Sequence, residues 1–550
     1  MTTYNPSQPG GDQFDVIVIG AGINGAGVAR DAAMRGLKVL MLEQKDIGGG
    51  SSACSTRLIH GGLRYLEHGE FGLVRESLRE REILLRIAPH LVRPLPILVP
   101  IYAGQKRGPL TIRAGMIAYN LLSFDKTLPA HRLLSRARVL RLAQGLKADG
   151  LRAAVLYYDA QVEFAERLVL ENVLSAVQNG ATVRTYSTVR GFLAADGQVR
   201  GVSFTDQLTG EKHQAMGRLL INAAGPWIDQ LLGAAGLPSV LPLIGGTKGS
   251  HLIVSSFPGA PATAVYVEAA QDQRPIFIIP WNENYLIGTT DTRYNDSLDR
   301  VEIDDREIEY LLTETNRFIP AAQLSRESIL FTYAGVRPLA YATNRDEEGI
   351  TRRHFIREHS QLTGLMSLVG GKLTTYRSLA EETVDLCFRR LGRQAPKCTT
   401  AVAVLPGATS DFTNSCEELK KEYRLSEPTV ARLLRLYGVR AVEVLKLVKE
   451  DEQLCEVFDP ETGAVSAEVV FSFKEEMATT LSDCLLRRTM VGLNSTCGLA
   501  AVKPAANIAQ RFLGWSDQQA RNEIERYRTY VERMHPRGVQ DERHPTFFKS

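Results

Sequence analysis

One stretch, Phe14 to Glu43, constrains this chain more than any other: FDVIVIGAGINGAGVARDAAMRGLKVLMLE. The apolar run Val16 to Ile19 reads as a buried strand. A turn with Gly20, Gly22 and Gly25 follows. Then comes a helix through Gly27 to Met34, stopped by Gly36, and a second apolar run, Leu37 to Leu42, that closes on Glu43. This is a βαβ unit with a dinucleotide fingerprint. The first glycine permits the tight turn, the second lets the backbone approach a pyrophosphate, and the third lets helix and strand pack closely. The helix N-terminus offers free N–H groups and partial positive charge to the phosphates. Glu43 suits a ribose 2′-hydroxyl and repels a 2′-phosphate, which argues against NADP. The fingerprint alone leaves NAD and FAD open.

With 550 residues, two or three domains are expected. A formal net charge of +3 gives no argument for a nucleic-acid partner, yet it permits a local basic face on anionic lipid. The seven cysteines are odd in number and form no close CxxC pair, which argues against a disulfide framework or a metal site and fits a reducing cytoplasm. No apolar run approaches the ~18 residues a spanning helix needs, so any membrane contact is expected to be peripheral. Residues 1–13 are polar and read as a disordered leader.

After Glu43 a small-residue loop, Gly48 to Ser52, leads into CSTRLIHGGLRYL. Loops without bulk run close to ligands. Helical periodicity covers Phe71 to Ile87 and, with Gly180 as its stop, Asp159 to Gly180. Ala195-Asp196-Gly197 joins two alternating stretches as a hairpin. RLLINAAGPWID, from Arg218, reads as strand, small-residue turn and helix start. Strands without intervening helices, from Leu241 to Asp291, predict an antiparallel sheet. Asp304 to Phe318 reads as a helix and Tyr333 to Leu339 as a turn. Leu365 to Val369 is a strand, Gly370-Gly371 a turn, and a helix runs from Thr374 to about Leu391. From Cys416 to Met534 the pattern is nearly all helical.

Arg93 to Leu122 carries the apolar run PLPILVPIYAG, then Lys106, Arg107 and Arg113, then Met116, Ile117, Tyr119, Leu121 and Leu122. Two readings stand: a basic amphipathic element on a membrane surface, or a core strand followed by a buried helix.

A nucleotide unit whose sheet is completed by distant returns, with an antiparallel region inserted, favours a flavoprotein with FAD stretched between two domains. The segments RLIHGGLRYLEHGEFGLVRESLREREIL, LINAAGPWID, KGSHLIV, IIPW, IGTTD, GVRPL, GGKLTTYR and LRRTMVGL make the resemblance specific. The chain resembles the FAD-dependent, respiratory glycerol-3-phosphate dehydrogenases, within the flavoproteins that share the D-amino-acid-oxidase and glycine-oxidase fold. The resemblance implies an α/β + α architecture. A Rossmann-like FAD-binding domain is expected from 14–90, 150–235 and 345–395. An antiparallel-sheet substrate or cap domain is expected from 91–149 and 236–344, and an all-helical C-terminal domain from 396–550.

The resemblance also implies non-covalent FAD, sn-glycerol 3-phosphate as substrate, and a membrane quinone as electron acceptor. It implies a cytoplasmic enzyme held on the inner face of the cytoplasmic membrane, and it is compatible with a homodimer. Oxygen as acceptor, an amino- or hydroxy-acid oxidase, and an RNA-modifying flavoprotein are the rivals.

Oxidising an alcohol carbon needs a hydride acceptor, a base for the hydroxyl proton and a grip on the rest of the substrate. Arginine suits a phosphate dianion because its fork matches the oxygens. Arg64, beside two glycines, and Arg337, in GVRP, are the candidates. The resemblance adds Tyr65, His251, Lys372 and Thr375 as substrate contacts. His60 is the expected base, since its ordinary pKa suits proton abstraction near neutrality, and His251 is its rival. Lys372 is expected to stabilise a developing alkoxide or the flavin. Cofactor contacts are expected from Gly20, Gly22, Asn24, Gly25, Glu43, Ser51, Ser52, Ala224, Gly225, Gly371, Leu373 and Thr374. Thr374 is open to a second reading, as a simple helix cap.

Overall fold

The apolar runs around the first glycine turn pair as a parallel unit. Strand Phe14–Ile19 lies beside Val39–Leu42, in register from Val16↔Val39 to Ile19↔Leu42, and helix Ile23–Met34 makes the crossover. Both strands are almost wholly buried, as unbroken aliphatic runs require in a sheet covered on both faces. The computed structural model describes residues 13–67, 69–104, 109–237, 241–342, 352–409 and 411–536; residues 1–12 of the expected leader, Lys106 and Arg107 lie outside the described residues.

An eight-stranded sheet grows from this pair. Lys212–Asn222 adds parallel to Phe14–Ile19, and Leu365–Val369 adds parallel to Lys212–Asn222. The distant returns at Leu219 and Leu365 do rejoin the nucleotide sheet. The predicted hairpin is Ser187–Ala195 with Gln198–Asp206, and its turn residues Asp196 and Gly197 both have positive φ, at 52° and 69°. That is the turn whose twist matches the flanking strands.

The second sheet has ten strands. Thr247–Val254, Asn284–Gly288, Pro275–Trp281 and Ala264–Glu268 are antiparallel neighbours, as their alternation predicts. Three expectations are corrected here. The apolar run after Arg93 is strand Val92–Tyr102, held between Leu151–Val162 and Ala264–Glu268. It is core, so the membrane reading does not apply to it. The stretch from 151 to 162, placed above with the nucleotide domain, is a strand of this second sheet, and the helix expected from Asp159 begins only at Ala165. Long-range pairing along Val92–Tyr102 outweighs the local helical periodicity there. Tyr333 to Leu339 is not a turn at its start. Strand Ile329–Arg337 pairs along Thr247–Val254 as far as Thr247↔Arg337.

Helix Asp305–Phe318 begins in a capping box, with the Asp304 carboxylate accepting from Glu307 N–H at 3.0 Å and the Glu307 carboxylate accepting from Asp304 N–H. From Phe412 to Met534 helices dominate, interrupted by a small hairpin, Val457–Asp459 with Ala464–Val465. One apolar cluster runs from Ile253, Trp281 and Phe331 of the second sheet into Leu433, Val470 and Leu485 of the C-terminal region. No described helix is long and apolar enough to cross a membrane.

Candidate active site

A cavity of about 900 Å³ opens between the two sheets. Its nucleotide wall comes from the glycine turn. Gly20 has φ 106°, and a Cβ there would stand 2.7 Å from Ala223 O. A Cβ on Gly25 would stand 2.0 Å from Gly20 O. Both glycines are thus demanded by the protein's own packing. Gly22 differs. Its backbone, at φ −73° and ψ 178°, accepts any residue, and an added Cβ would meet only the Ser52 hydroxyl, at 3.5 Å. Gly22 lines the cavity, so the space it preserves is space for a ligand.

The rest of this wall is built for an anionic nucleotide. Ser52 Oγ accepts from Ile23 N–H at 3.0 Å, which brings the Gly48 to Ser52 loop against the helix start. Ser51 Oγ donates to Val336 O at 2.6 Å. The Glu43 carboxylate accepts from Ala21 N–H at 2.7 Å and Lys45 N–H at 2.9 Å; burial raises its pKa against these bonds. Asn24 donates to Gly370 O at 3.3 Å, while its buried Oδ1 has no hydrogen-bond partner. An orphaned acceptor beside a helix N-terminus, a glycine kept free of side chain and a ribose-type carboxylate all fit a dinucleotide.

The cap wall is cationic. Arg337 ends strand Ile329–Arg337 and donates to Asp291 Oδ1 at 2.9 Å, Thr289 Oγ1 at 2.9 Å and Thr290 O at 3.1 Å. Gly249 on the neighbouring strand makes room for it, since a Cβ there would stand 2.1 Å from Arg337 Nη2. Arg352 reaches Asp291 Oδ2 at 3.5 Å, and Arg274 donates to the Asp291 backbone oxygen. Burial alone would raise the Asp291 carboxyl, but Arg337 and Arg352 hold it below the usual range. Burial, then the neighbouring Arg352, pushes Arg337 down to about 10. Arg337 and Arg352 share the one Asp291 carboxylate, while Arg274 bonds the Asp291 backbone oxygen and pairs with Asp272 at 3.5 Å; two guanidiniums on one carboxylate leave positive charge that an added anion would neutralise.

His60 lies between the walls. Its backbone N–H donates to Thr374 Oγ1 at 3.2 Å, and Gly61 N–H donates to the Tyr119 hydroxyl at 3.0 Å. Tyr119 donates to Asp159 at 2.8 Å, and Arg81 donates to the same carboxylate at 2.5 Å. This buried triad fixes the loop that carries His60. Burial first, then Lys372, Arg352 and Arg81, push the imidazole down to about 3. The ring is neutral and only weakly basic. His251 is also held neutral, well below its ordinary pKa by burial, then by Arg337 and Arg57. Its Nε2 is engaged with Thr56 Oγ1 at 2.9 Å and its ring lies against Tyr333. Lys372 donates to Ser77 Oγ at 3.0 Å and stands 4.5 Å over the Tyr65 ring. Burial, then Arg352, push its ammonium down to about 7.

The cavity gathers His60, Tyr65, His251, Arg337 and Lys372 with Gly20, Gly22, Asn24, Glu43, Ser51, Ser52, Ala224, Gly225, Gly371, Leu373 and Thr374. Gly25 is not in its lining and serves helix–strand packing instead. Thr375 is not in it either; its buried hydroxyl has no hydrogen-bond partner. The side chain of Arg64 lies outside the described residues. Thr374 is no helix cap, because helix Tyr376–Leu391 begins without a side-chain cap and the Thr374 hydroxyl is turned to the His60 backbone. Sequence reasoning missed Arg274, Arg352, Asp291 and Gly249. Asp291 and Gly249 sit inside IGTTD and KGSHLIV, so a signal was present for them; Arg352, in the polar stretch TRRH, offered none.

A dinucleotide cradle on one sheet facing a cationic wall on the other defines the class: an oxidoreductase that binds a dinucleotide cofactor. Comparison with known proteins agrees. Residues 15–386 match the family model described as FAD dependent oxidoreductase, and residues 398–520 match the C-terminal domain of alpha-glycerophosphate oxidase. A glycerol-3-phosphate dehydrogenase from a Synechocystis species is 47% identical over 533 residues, covering 94% of this chain and 96% of that one. One from Mycobacterium leprae is 36% identical, covering 95% and 89%. The solved glycerol-3-phosphate dehydrogenase of Bacillus halodurans, complexed with FAD, superposes with a TM-score of 0.78 at 27% identity, covering 96% of this chain and 97% of that one. The chain belongs to the FAD-dependent oxidoreductase family, in its glycerol-3-phosphate dehydrogenase branch, and its cofactor is FAD.

Proposed function

We propose that the protein oxidises sn-glycerol 3-phosphate to dihydroxyacetone phosphate and passes the electrons to a membrane quinone. The observation that carries the substrate is the Asp291 cluster, where Arg337 and Arg352 share one carboxylate and Arg274 bonds its backbone oxygen, beside the cofactor cradle. A phosphate dianion matches that excess of charge better than a monoanionic carboxylate does. FAD, held without a covalent bond by the glycine turn, Glu43 and the 44–53 loop, would supply the hydride acceptor for the C2 hydrogen.

The chain's own residues do the rest. Arg337 and Arg352 hold the phosphate. His60 takes the C2 hydroxyl proton. Burial is the first cause of its low basicity and the neighbouring cations the second, so a bound dianion that neutralises Lys372 and Arg352 raises that basicity part of the way. Lys372 stabilises the oxygen as its proton leaves. Helix Tyr376–Leu391 starts two residues past the cavity-lining Thr374, and its N-terminus would favour negative charge on a flavin held there. Purified protein is expected to be yellow and to bleach anaerobically on addition of sn-glycerol 3-phosphate. A flavin that stays oxidised with this substrate but bleaches with an amino or hydroxy acid overturns the reading.

The quinone places the enzyme at a membrane surface, on its cytoplasmic side. Strand Val92–Tyr102 is excluded from that contact, which leaves helix Pro109–Leu122. Leu121 and, just after the helix, Phe124 are 70% and 78% exposed. Arg113 is exposed on the same helix, Arg132, Arg136, Arg138 and Arg141 are exposed in the segment that follows, and His131 joins the two segments by its hydrogen bond with Asn120. Apolar side chains over a basic rim suit anionic lipid, with about 1 kcal/mol per basic residue near the surface. Flotation with anionic liposomes, weakened by salt and by Leu121→Glu with Phe124→Glu, tests this. A protein that stays at the bottom of the gradient at low salt overturns it. An oxygen-using enzyme is the second reading, favoured by the name of the C-terminal family model. Hydrogen peroxide formed in step with substrate consumption in air would establish it.

A further inference from the structure

The loop from residue 44 to 53 joins the ribose carboxylate Glu43 to the pyrophosphate side of the cradle. Gln44, Lys45, Gly49, Gly50, Ser51 and Ser52 all line the cavity. Half of the loop is the small-residue run Gly48 to Ser52, and Ile47, buried in the core of the nucleotide domain, is its one large apolar anchor. Inside the nucleotide domain it is tied at Gly48, whose N–H donates to Ala21 O at 2.9 Å, and at Ser52. Lys45 O also accepts from Tyr186 N–H at 2.9 Å, whereas the Asp46 carboxylate is held from elsewhere.

That hold comes from the C-terminal helical domain. Asp46, fully buried in the loop, takes a two-pronged grip from Arg488: Nη1 donates to Oδ2 at 2.7 Å and Nη2 to Oδ1 at 2.8 Å. Arg487 Nε donates to the same carboxylate. Both arginines are themselves anchored. Arg487 Nη2 donates to Asp483 Oδ1 at 2.8 Å, and Arg488 Nε donates to Glu476 O at 2.8 Å. A single π turn over Cys484–Arg488, closed by Thr489 N–H to Cys484 O at 2.8 Å, lets two consecutive arginines aim at one acceptor. Burial would raise the Asp46 carboxyl; Arg488 and then Arg487 hold it below the usual range.

The same domain has a second buried ionic anchor. Glu476 accepts from Arg167 of helix Ala165–Gln178 at 2.6 Å and from Arg440 at 2.6 Å. None of these three residues lines the cavity. One anchor therefore joins domain to domain, and the other grips a cavity loop. Tyr530 and Arg533, at the end of the helical domain, line the cavity directly as well, and Arg533 donates to Asp299 O at 3.2 Å.

We propose that Arg487 and Arg488 are positioning residues for FAD. Through Asp46 they hold the 44–53 loop in the shape the cofactor needs, which makes the C-terminal helical domain part of the cofactor-binding apparatus. This rests on the cavity being the FAD site. The charged fork tells the loop where to stand before the cofactor arrives, and an open loop would let FAD leave.

The test compares Asp46→Asn and Arg488→Met with Glu476→Gln, all prepared as full-length holoenzyme. FAD release is measured by ultrafiltration, and amide exchange of residues 44–53 by mass spectrometry, each well below the variant's own Tm. Asp46→Asn and Arg488→Met should release FAD on the order of tenfold to a hundredfold faster, with faster exchange confined to the loop. Arg488→Lys, which keeps the charge without the fork, should recover part of the retention. Glu476→Gln should lower Tm and leave FAD release unchanged. If Asp46→Asn does not fold, Arg487→Lys is the milder variant read by the same two measurements. Unchanged FAD release in the Asp46 and Arg488 variants, or equal release in Glu476→Gln, overturns the proposal. Wild-type protein that retains no FAD would instead overturn the cofactor site itself.

Discussion

The nucleotide wall and the cap wall of the cavity are assembled in opposite ways. The nucleotide wall draws mainly on one local unit, Gly20 to Ser52, joined by the turns at Ala224-Gly225 and Gly371 to Thr374, and presents backbone more than side chains. The cap wall gathers Arg274, Arg337 and Arg352 around Asp291 from segments far apart in the chain, and presents charge on long side chains. Backbone contacts tolerate no added atom, whereas guanidinium contacts are lost one at a time. The first wall should therefore fail abruptly and the second by degrees.

The sharpest way to break that comparison lies within the glycine turn. Gly22→Val should fold normally and yield protein without flavin, because its side chain fills only ligand space. Gly25→Ala should instead destabilise the fold by about 1–3 kcal/mol or more, since its Cβ collides with Gly20 O. Flavin content by absorbance and Tm by calorimetry separate the two. Full flavin in Gly22→Val would remove this wall from the cofactor site.

His60→Ala should lower kcat on the order of a hundredfold to ten-thousandfold with little change in KM, as loss of a general base does. Steady-state kinetics under anaerobic conditions checks it. An unaltered kcat would pass the role to His251 or to water.

On the cap wall the losses should be graded. Arg337→Ala should raise KM roughly tenfold to a hundredfold, the effect of one charge-assisted contact. Gly249→Ala should mimic it more weakly, because the new methyl displaces the guanidinium that Arg337 keeps. Unchanged KM in both would place the phosphate elsewhere.

The smallest effect concerns Lys372, whose pKa falls from 10.5 to about 7 in the folded protein. Below about pH 7 the ammonium is charged in both folded and unfolded chains, and its burial costs the folded state in full. Between about 7 and 10.5 the unfolded chain binds more protons, so that cost fades as pH rises. Lys372→Met, though impaired in catalysis, should therefore unfold at higher temperature than wild type at pH 6, and the gap should close toward pH 10. A gap that widens with pH would show the lysine to be stabilised by its neighbours.

Much of the nucleotide wall was legible because its signal is local. Gly20, Gly22, Gly25 and Glu43 lie within one unit whose spacing follows from the geometry of a turn and a helix. Arg337 and Lys372 were found through motifs. Arg352 was not, since an arginine in a polar stretch looks the same in a solvated loop and in an ion cluster.

Sequence by itself determined the βαβ cradle, the antiparallel second sheet and the helical character of the C-terminal region, because strand and helix periods and glycine placement act over a few residues. Tertiary structure alone decided the rest. It turned the apolar run after Arg93 into a core strand, took residues 151–162 into the second sheet and brought Asp291 among three guanidiniums. It also set Arg488 against Asp46 across most of the chain. Each of those outcomes depends on which distant segment lies alongside. Strand partners and buried counter-charges are chosen by the packing of the whole chain, where one correct pairing outweighs many local preferences.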